Sequence, residues 1–205
     1  MKSYPSIPGA ANAPLGRPCA AFIKYDGSNL RWEWTRKRGF WKFGARTRLF
    51  DASDEQLGEA VPLFFDRYAE AVERRLVDGF RGVEQATAFT EFFGPSSFAG
   101  THVPGEAKEL RLFDVQIHRR GILGPREFLA GFRELPFCAE LVYEGNFNKA
   151  FVADVRAGGH VPPGCEGVVA KGGGGHGLWM AKVKTAAYLE RLKAVFQGRW
   201  AEFAE

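Results

Sequence analysis

Four lysines near the ends of strand-like segments could bind or attack a phosphate group. Lys24 closes the apolar run in "AFIKYDGSN", Lys171 lies in "EGVVAKG", and Lys182 and Lys184 lie in "WMAKVK". Because side chains alternate between the two faces of a strand, Lys182 and Lys184 are predicted to share one face. With Lys24 they could form a phosphate pocket, in which neighbouring positive charge lowers the pKa of one lysine and makes it nucleophilic. For each lysine taken singly, a solvated strand face is the alternative.

Three carboxylates interrupt apolar strand-like segments in the same way. Glu91 lies in "TEFFG", Asp114 in "LFDV" and Glu166 in "CEGVV". An ionised carboxylate in such a position is costly unless it is paired or faces a polar site. These residues could orient a sugar, hold a divalent cation or balance the lysines, and a salt bridge at a sheet edge is the simpler alternative for any one of them.

The elements that must position these residues form an α+β pattern. Three strand-like segments, at 20–25, 29–36 and 39–46, are separated by turn residues and predict an antiparallel meander. Apolar residues at helical spacing then predict one amphipathic helix between residues 51 and 78. Further strands are predicted at 85–94, 109–117, 138–145, 165–172 and 177–185, and further helices at 125–135, 147–158 and 186–205. We therefore predict one α+β domain over residues 1–205, built of antiparallel sheets flanked by helices.

Composition and charge narrow the function classes. The 205 residues are 45% hydrophobic with a formal charge of +4, which fits a globular protein and permits a polyanionic partner. Basic and aromatic residues alternate in "RWEWTRKRGFWKFGARTR" (31–48), a mixture that suits phosphate contacts and base stacking, or else a solvated basic hairpin. The three cysteines have no metal-ligand or disulfide spacing, and no apolar run is long enough for a bilayer, so we expect a cytoplasmic protein with no membrane partner.

Five short segments, taken in chain order, resemble the motifs of a known superfamily. They are "KYDGSN", "TEFFG", "LFDV", "EGVVAK" and "AKVK", and they are similar to the motifs of the covalent nucleotidyltransferases, which include polynucleotide ligases and mRNA capping enzymes. The resemblance extends over residues 22–184. It implies an ATP-grasp-like DNA/RNA ligase nucleotidyltransferase domain.

The same resemblance implies the chemistry. Lys24, assisted by Lys182 and Lys184 as further catalytic residues, would attack the α-phosphate of ATP, form a lysyl-AMP and expel pyrophosphate. Glu91 and Glu166 would bind Mg²⁺ or Mn²⁺, directly or through water. The implied nucleotide-binding residues are Lys24, Asp26, Gly27, Asn29, Arg46, Glu91, Phe113, Asp114, Glu166, Lys171, Lys182 and Lys184.

Individual roles follow from the matched motifs. Glu91 would hold a ribose hydroxyl, Phe113 would stack on the purine, and Asp114 would support the site. Glu166 would also balance charge, while Lys171 with the two downstream lysines would neutralise the phosphates. Arg46 is the expected contact to the nucleotide or to a 3′-end phosphate, with Arg48 as the alternative.

One position selects a branch of the superfamily. Asn29, five residues after Lys24, gives the "KxDGxN" form that resembles the nick-sealing RNA ligases, whereas DNA ligases and capping enzymes typically carry arginine there. This implies an RNA substrate with 5′-phosphate and 3′-OH ends, in a nicked duplex or another arrangement. A minimal DNA nick ligase and a non-catalytic nucleic-acid-binding module are the alternatives.

Two features depart from the family pattern. The chain ends about twenty residues after Lys184, so we expect no separate C-terminal OB or helical domain, and a partner protein could supply substrate binding. Thr90 stands before Glu91, where the family usually has glycine.

Overall fold

The computed structural model describes residues 4–163 and 165–204. The chain divides into two compact units, which we call the central unit (4–5 and 27–139) and the terminal unit (6–26 and 140–204). The boundary between Asp26 and Gly27 falls inside the "KYDGSN" motif. No helix in the described part of the chain is long and apolar enough to cross a bilayer.

The central unit is built on a six-stranded antiparallel sheet with the order β4-β3-β2-β5-β6-β7. Its strands are β2 (Ser28–Thr35), β3 (Gly39–Gly44), β4 (Leu49–Phe50), β5 (Gln85–Phe93), β6 (Glu109–Ile117) and β7 (Gly121–Ile122). Its helices are α1 (Ala60–Arg67), α2 (Ala69–Gly79) and α3 (Pro125–Phe132). One face of the sheet is apolar: Trp32 of β2 stacks on Phe64 of α1 with ring centroids 3.9 Å apart, and both side chains are buried.

The terminal unit is built on a four-stranded sheet with the order β10-β9-β1-β8, all of whose pairs are antiparallel. Its strands are β1 (Pro18–Lys24), β8 (Leu141–Asn146), β9 (Gly167–Gly172) and β10 (Trp179–Lys184). Its helices are α4 (Lys149–Arg156), α5 (Ala186–Phe196) and α6 (Ala201–Ala204). The two antiparallel sheets and their helices confirm the predicted α+β class.

The predicted meander of the first three strands is wrong. β2 and β3 do form a hairpin, but β1 belongs to the other sheet, where β8 and β9 occupy both of its edges. The Asp26-Gly27 turn therefore leads out of one sheet and into the other, instead of folding β2 back onto β1. β2 pairs with β5 in place of β1.

Two helices also differ from the prediction. The single helix expected between residues 51 and 78 is two helices, because the backbone leaves helical geometry at Tyr68 (φ −125°), whose ring packs edge-on against Phe137. The last predicted helix ends at Phe196, since Gln197 adopts a positive φ of 46°. The predicted N-cap Thr185 is confirmed: its hydroxyl accepts a hydrogen bond from a backbone amide one turn into α5.

Candidate active site

The four predicted lysines lie on one face of the four-stranded sheet. Lys24 of β1 pairs in register with Gly167 of β9, which pairs in turn with Lys184 of β10, so the two lysines share a row across three strands. Lys182 lies two residues before Lys184, and Lys171 lies four residues after Gly167. Because directly opposed residues share a face and every second residue returns to it, the register places all four lysines on that face. We call it the lysine face.

The opposite face explains the alternation in the sequence. Residues one position out of phase with the lysines, including Ala21, Val168, Ala170 and Val183, are buried in an apolar cluster. The side chains of α4 pack into the same cluster. Burial of this face fixes the register, because a slip of one residue would exchange the lysines for the apolar residues.

Glu166 links the first and last lysines of the row. The Lys24 ammonium donates a hydrogen bond of 2.5 Å to Glu166 Oε2, and Lys184 Nζ lies 3.0 Å from Oε1. The side chains of Glu166 and Lys184 are 5% and 8% exposed, and that of Lys24 is 24% exposed. Of the three roles left open for this carboxylate, charge balance is the one that these contacts show.

The row needs a glycine at its centre. Gly167 has a φ of +151°, and a Cβ atom there would lie 2.0 Å from the Val183 carbonyl oxygen. No L side chain fits such a position without moving the backbone of β10. The row therefore carries no side chain between Lys24 and Lys184, and the carboxylate of the preceding residue reaches both ammonium groups.

Two aromatic rings border the lysine face. The buried Lys171 ammonium lies 5.0 Å from the centroid of Phe22, and Lys184 Nζ lies 5.4 Å from that of Tyr188, both within the range of cation–π attraction. Tyr188, on α5, also forms a side-chain hydrogen bond with Asp26. Burial, together with Glu166 and Asp26, raises the pKa of the Tyr188 hydroxyl. Sequence analysis missed this residue, which holds the aspartate of "KYDG" in place.

In the central unit, the structure brings three predicted residues together. The Gly27 amide donates a hydrogen bond of 3.1 Å to Glu91 Oε1, and Asn29 pairs in register with Glu91 across β2 and β5. A Cβ atom on Gly27 would lie 2.2 Å from the Phe92 carbonyl oxygen, so only glycine allows this approach. Glu91 is half-buried and is held by backbone, which suits a carboxylate that must keep a fixed direction.

A β-bulge places Phe113 and Asp114 on β6. Phe89 pairs with Asp114 and the next residue of β5 pairs with Leu112, which leaves Phe113 as the extra residue. Phe113 is half-buried, whereas Asp114 is fully buried and accepts a short hydrogen bond from the Tyr4 hydroxyl. The Tyr4 ring packs edge-on against Phe113 and Phe89, at centroid distances of 5.1 and 4.9 Å. Burial and the neighbouring Asp114 raise the pKa of Tyr4 well above its ordinary value.

The two candidate arginines differ in their surroundings. Arg48 forms an ion pair with Asp54, whereas Arg46 is exposed in the loop that follows β3. That loop is held by the buried Arg31, whose guanidinium donates a short hydrogen bond to the Ala45 carbonyl. Arg46 lies two residues after Gly44, which pairs with Arg31 on β2, and Asn29, two residues before Arg31, pairs with Glu91.

Thr90, the departure from the family pattern, has a structural partner. It is buried, and its hydroxyl accepts a hydrogen bond of 2.9 Å from the Trp32 indole N–H. The substitution therefore satisfies a polar group inside the core of the central unit.

Among the described residues, the carboxylates do not form a protein-built metal centre. Within residues 4–163 and 165–204, no three His, Cys, Asp or Glu side chains are grouped so as to hold a metal ion. Glu91 and Glu166 are single carboxylates, which fits the way Mg²⁺ usually binds, through one or two carboxylates with substrate phosphates and water supplying the other ligands.

Comparison with known proteins gives a match at the level of structure. No protein-family model and no curated protein sequence matches the chain. A Naegleria gruberi RNA ligase with PPi superposes with a TM-score of 0.63 at 19% identity, covering 95% of this chain and 58% of that one. An archaeal ATP-dependent RNA ligase gives a TM-score of 0.63 at 19% identity, covering 97% of this chain and 52% of that one. Over the aligned residues, the chain has the fold of these RNA ligase structures.

This ligase fold confirms the architecture that the five motifs implied. A Naegleria gruberi RNA ligase K170A mutant with ATP and Mn also superposes on it, with a TM-score of 0.60 at 18% identity, over 92% of this chain and 58% of that one. The chain thus spans between half and three fifths of the length of these ligases.

Proposed function

We propose that this protein is an ATP-dependent RNA ligase whose nucleophile is Lys24. One observation carries the proposal: within a ligase fold, Lys24 lies in a row with Lys184, and Glu166 contacts both ammonium groups. A surface lysine would not be expected on a sheet face with three other lysines and a buried carboxylate. The arrangement suits the binding of a triphosphate, in which several cations meet several phosphates.

The first step of the proposed reaction modifies Lys24. Its ammonium must lose a proton before it can attack, and Glu166 Oε2, at 2.5 Å, is within reach to accept that proton. The Nζ lone pair then forms a bond to the α-phosphorus of ATP, while the bond from that phosphorus to the bridging oxygen breaks and pyrophosphate leaves. Lys171, Lys182 and Lys184 neutralise the charge that develops on the phosphates.

Two further steps complete the ligation. The AMP group moves from Lys24 to the 5′-phosphate of an RNA end, which restores the lysine and forms an RNA with a 5′–5′ pyrophosphate linkage to AMP. A 3′-hydroxyl then attacks the activated 5′-phosphate, forms the phosphodiester bond and releases AMP. Arg46 is the proposed contact to a phosphate of the nucleotide or of the RNA end, since Arg48 is engaged by Asp54.

The proposed adenosine contacts lie on the central unit. Glu91 would bind a ribose hydroxyl, and the half-buried Phe113 would stack on the purine beside Asp114. Gly27 and Asn29 would support that position from the adjacent strand, where the Gly27 amide already fixes Glu91. On the terminal unit, Asp26 would be oriented by its hydrogen bond to Tyr188.

A divalent ion, Mg²⁺ or Mn²⁺, would bind chiefly to the ATP phosphates and would supply further charge neutralisation. Glu166 and Glu91 are the carboxylates that would bind it, directly or through water. The three cysteines are all free thiols, which suits a reducing cytoplasm, where we place the reaction. A partner protein would add substrate binding if the lone domain binds RNA weakly.

Label transfer tests the nucleophile. Wild-type protein incubated with α-³²P-labelled ATP and Mg²⁺ or Mn²⁺ should become covalently labelled, and Lys24→Ala should abolish the label. Lys149→Ala removes an exposed lysine from α4 and should leave labelling unchanged. Labelling of the Lys24→Ala protein would show that another residue is the nucleophile, and absence of label in the wild type would favour a non-catalytic binding module.

A chase with nucleic acid tests the substrate. Labelled protein is mixed with 5′-phosphorylated nicks made of RNA, of DNA or of both, and with single strands. RNA ends should take up AMP and be sealed. Preferential sealing of an all-DNA nick would replace the RNA ligase proposal with a minimal DNA nick ligase.

A further inference from the structure

A polar groove on the open face of the six-stranded sheet has no role in the chemistry above. It lies on the face opposite the core residues Trp32 and Phe64, and all of its residues belong to the central unit. Its lining includes Glu33, Thr35, Trp41, Gln85, Thr87 and Gln116. Thr35, Gln85, Thr87 and Gln116 carry neutral amide or hydroxyl groups on three neighbouring strands, a set that can bind the edges of a nucleobase.

A β-bulge turns an aromatic ring toward this groove. Glu33 pairs with Lys42 and Trp34 pairs with Phe40, so that Trp41 is the extra residue on β3. Bulges commonly redirect a side chain in this way. Trp41 lines the groove and is 43% exposed, whereas the side chains of Trp32 and Trp34 on the paired strand are buried.

Cations surround the exposed indole ring. The Arg38 guanidinium lies 4.9 Å and the Lys42 ammonium 5.6 Å from the centroid of Trp41. Lys37 in the β2–β3 turn and Arg119 in the β6–β7 turn are also exposed at this end of the sheet. Lys42 also lies 3.8 Å from Glu33 Oε2 in the groove, so the excess positive charge at this end comes mainly from Arg38, Lys37 and Arg119. This excess complements the phosphates of a polynucleotide.

We infer that this groove binds an unpaired nucleotide of an RNA strand, with its base stacked on Trp41. Stacking on an aromatic ring beside cations that contact the backbone is a common way for proteins to bind single strands. The neutral side chains of Thr35, Thr87 and Gln116 would then contact the edge of the base, and Arg38 and Lys42 would contact the flanking phosphates. The inference rests on the proposed function, since it names an RNA strand as the occupant.

The groove also lies on the same face of β2 as the proposed adenosine contacts. Asn29, Glu33 and Thr35 differ by even numbers of residues, so their side chains point to one side of the strand. At about 3.3 Å per residue, the groove residues lie roughly 13–20 Å along the strand from Asn29. A stacked strand advances about 3.4 Å per nucleotide, so this distance along β2 corresponds to roughly four to six stacked nucleotides.

Binding without ATP tests this inference and prevents any chemistry. A 5′-fluorescein-labelled single-stranded RNA of about 12 nucleotides, within the usual site sizes, is titrated with the full chain and followed by fluorescence anisotropy. Trp41→Ala should raise Kd by roughly 5- to 150-fold, the loss expected for one stacked base. Trp41→Phe, which keeps a ring, should recover most of the affinity.

Matched controls separate stacking from the loss of any exposed ring. Phe65 on α1 is 42% exposed, and Phe65→Ala should leave Kd unchanged. A fully paired RNA duplex of the same length should bind wild type and Trp41→Ala equally, because its bases cannot stack on the ring. Equal RNA affinity of wild type and Trp41→Ala, or equal weakening of single strand and duplex, would overturn the inference.

Labelling by ATP distinguishes failure of the groove inference from failure of the proposed function. Trp41→Ala should still become labelled by α-³²P-labelled ATP, since the groove takes no part in that step. Loss of labelling in this variant would contradict the groove assignment. A protein that binds RNA through Trp41 but is never labelled would support the groove and refute the ligase.

Discussion

Glu166→Gln removes the negative charge between two lysines and keeps the size of the side chain. At the distances of 2.5 and 3.0 Å, the two attractions are about 7 and 6 kcal/mol with an effective dielectric constant of about 20. Repulsion between the lysines and desolvation of all three groups offset most of this sum. Loss of one partner from a buried ion pair typically costs about 3–5 kcal/mol. Because Lys24 is 24% exposed and water can compensate it, we expect a loss near the lower end, about 3 kcal/mol.

Urea unfolding followed by circular dichroism measures this loss. The matched control is Glu70→Gln, because Glu70 Oε1 also lies 2.5 Å from a cation, Arg74, but on the exposed face of α2. This pair should contribute little, so the urea midpoint should stay where it is. A double-mutant cycle of Glu166→Gln with Lys184→Met should give a coupling energy of about 1–3 kcal/mol.

The same variant has a functional readout. Without the carboxylate, Lys24 loses both its positioning contact and the proposed proton acceptor, so the rate of labelling from α-³²P-labelled ATP should fall by at least roughly 100-fold. An unchanged urea midpoint together with a coupling energy below about 0.5 kcal/mol would refute the reasoning. It would mean that Glu166 does not stabilise the row of lysines in solution.

Three further predictions concern single side chains. Gly167→Ala should lower the free energy of unfolding by at least about 1–3 kcal/mol, because the residue has a positive φ and its Cβ would clash with β10. Gly177→Ala, where a Cβ meets nothing within 4 Å, should leave the free energy of unfolding unchanged, and equal urea midpoints for the two variants would contradict the prediction. Thr90→Val should lower the free energy of unfolding by about 1–3 kcal/mol in the same assay, because the Trp32 indole N–H loses its acceptor inside the core. An unchanged urea midpoint would show that this hydrogen bond does not contribute to stability. Burial disfavours the thiolate and raises the pKa of Cys19 to about 11. At pH 9, mass spectrometry should therefore find Cys19 unalkylated by iodoacetamide in the folded protein and alkylated in urea, and equal rates of alkylation in the two conditions would contradict this.

Local patterns predicted most of the elements. The strand expected at 109–117 is observed over the same residues, because apolar alternation bounded by turns is visible in any single segment. The pairing of β1 was wrong, since Asp26-Gly27 resembles a hairpin turn and only the distant partners of β1 show otherwise. The break at Tyr68 was missed because Tyr68 itself fits the helical spacing of its neighbours.

The residues of the candidate site likewise include some that local patterns placed correctly and others that depend on distant partners. Alternation correctly placed Lys182 and Lys184 on one face, but the alignment of Lys24 with Lys184 depends on the order of three strands that are far apart in the chain. Tyr4 could not be assigned from the residues around it, because its hydroxyl bonds to Asp114, 110 positions later. Such contacts follow from the fold and leave no local pattern.

The strand order β10-β9-β1-β8 has a consequence for biosynthesis. β1 leaves the ribosome before the other nine strands of the described residues, yet both of its neighbours lie beyond residue 140. Lys24 is in the same row as Lys184, and at about 5–20 residues per second the ribosome takes roughly 8–32 s to add the residues between them. During this interval β1 is an apolar strand with two unpaired edges, a combination that favours aggregation of incomplete chains. The row of lysines forms only after β10 has been made, so no shorter nascent chain can carry the proposed nucleophile in its working surroundings.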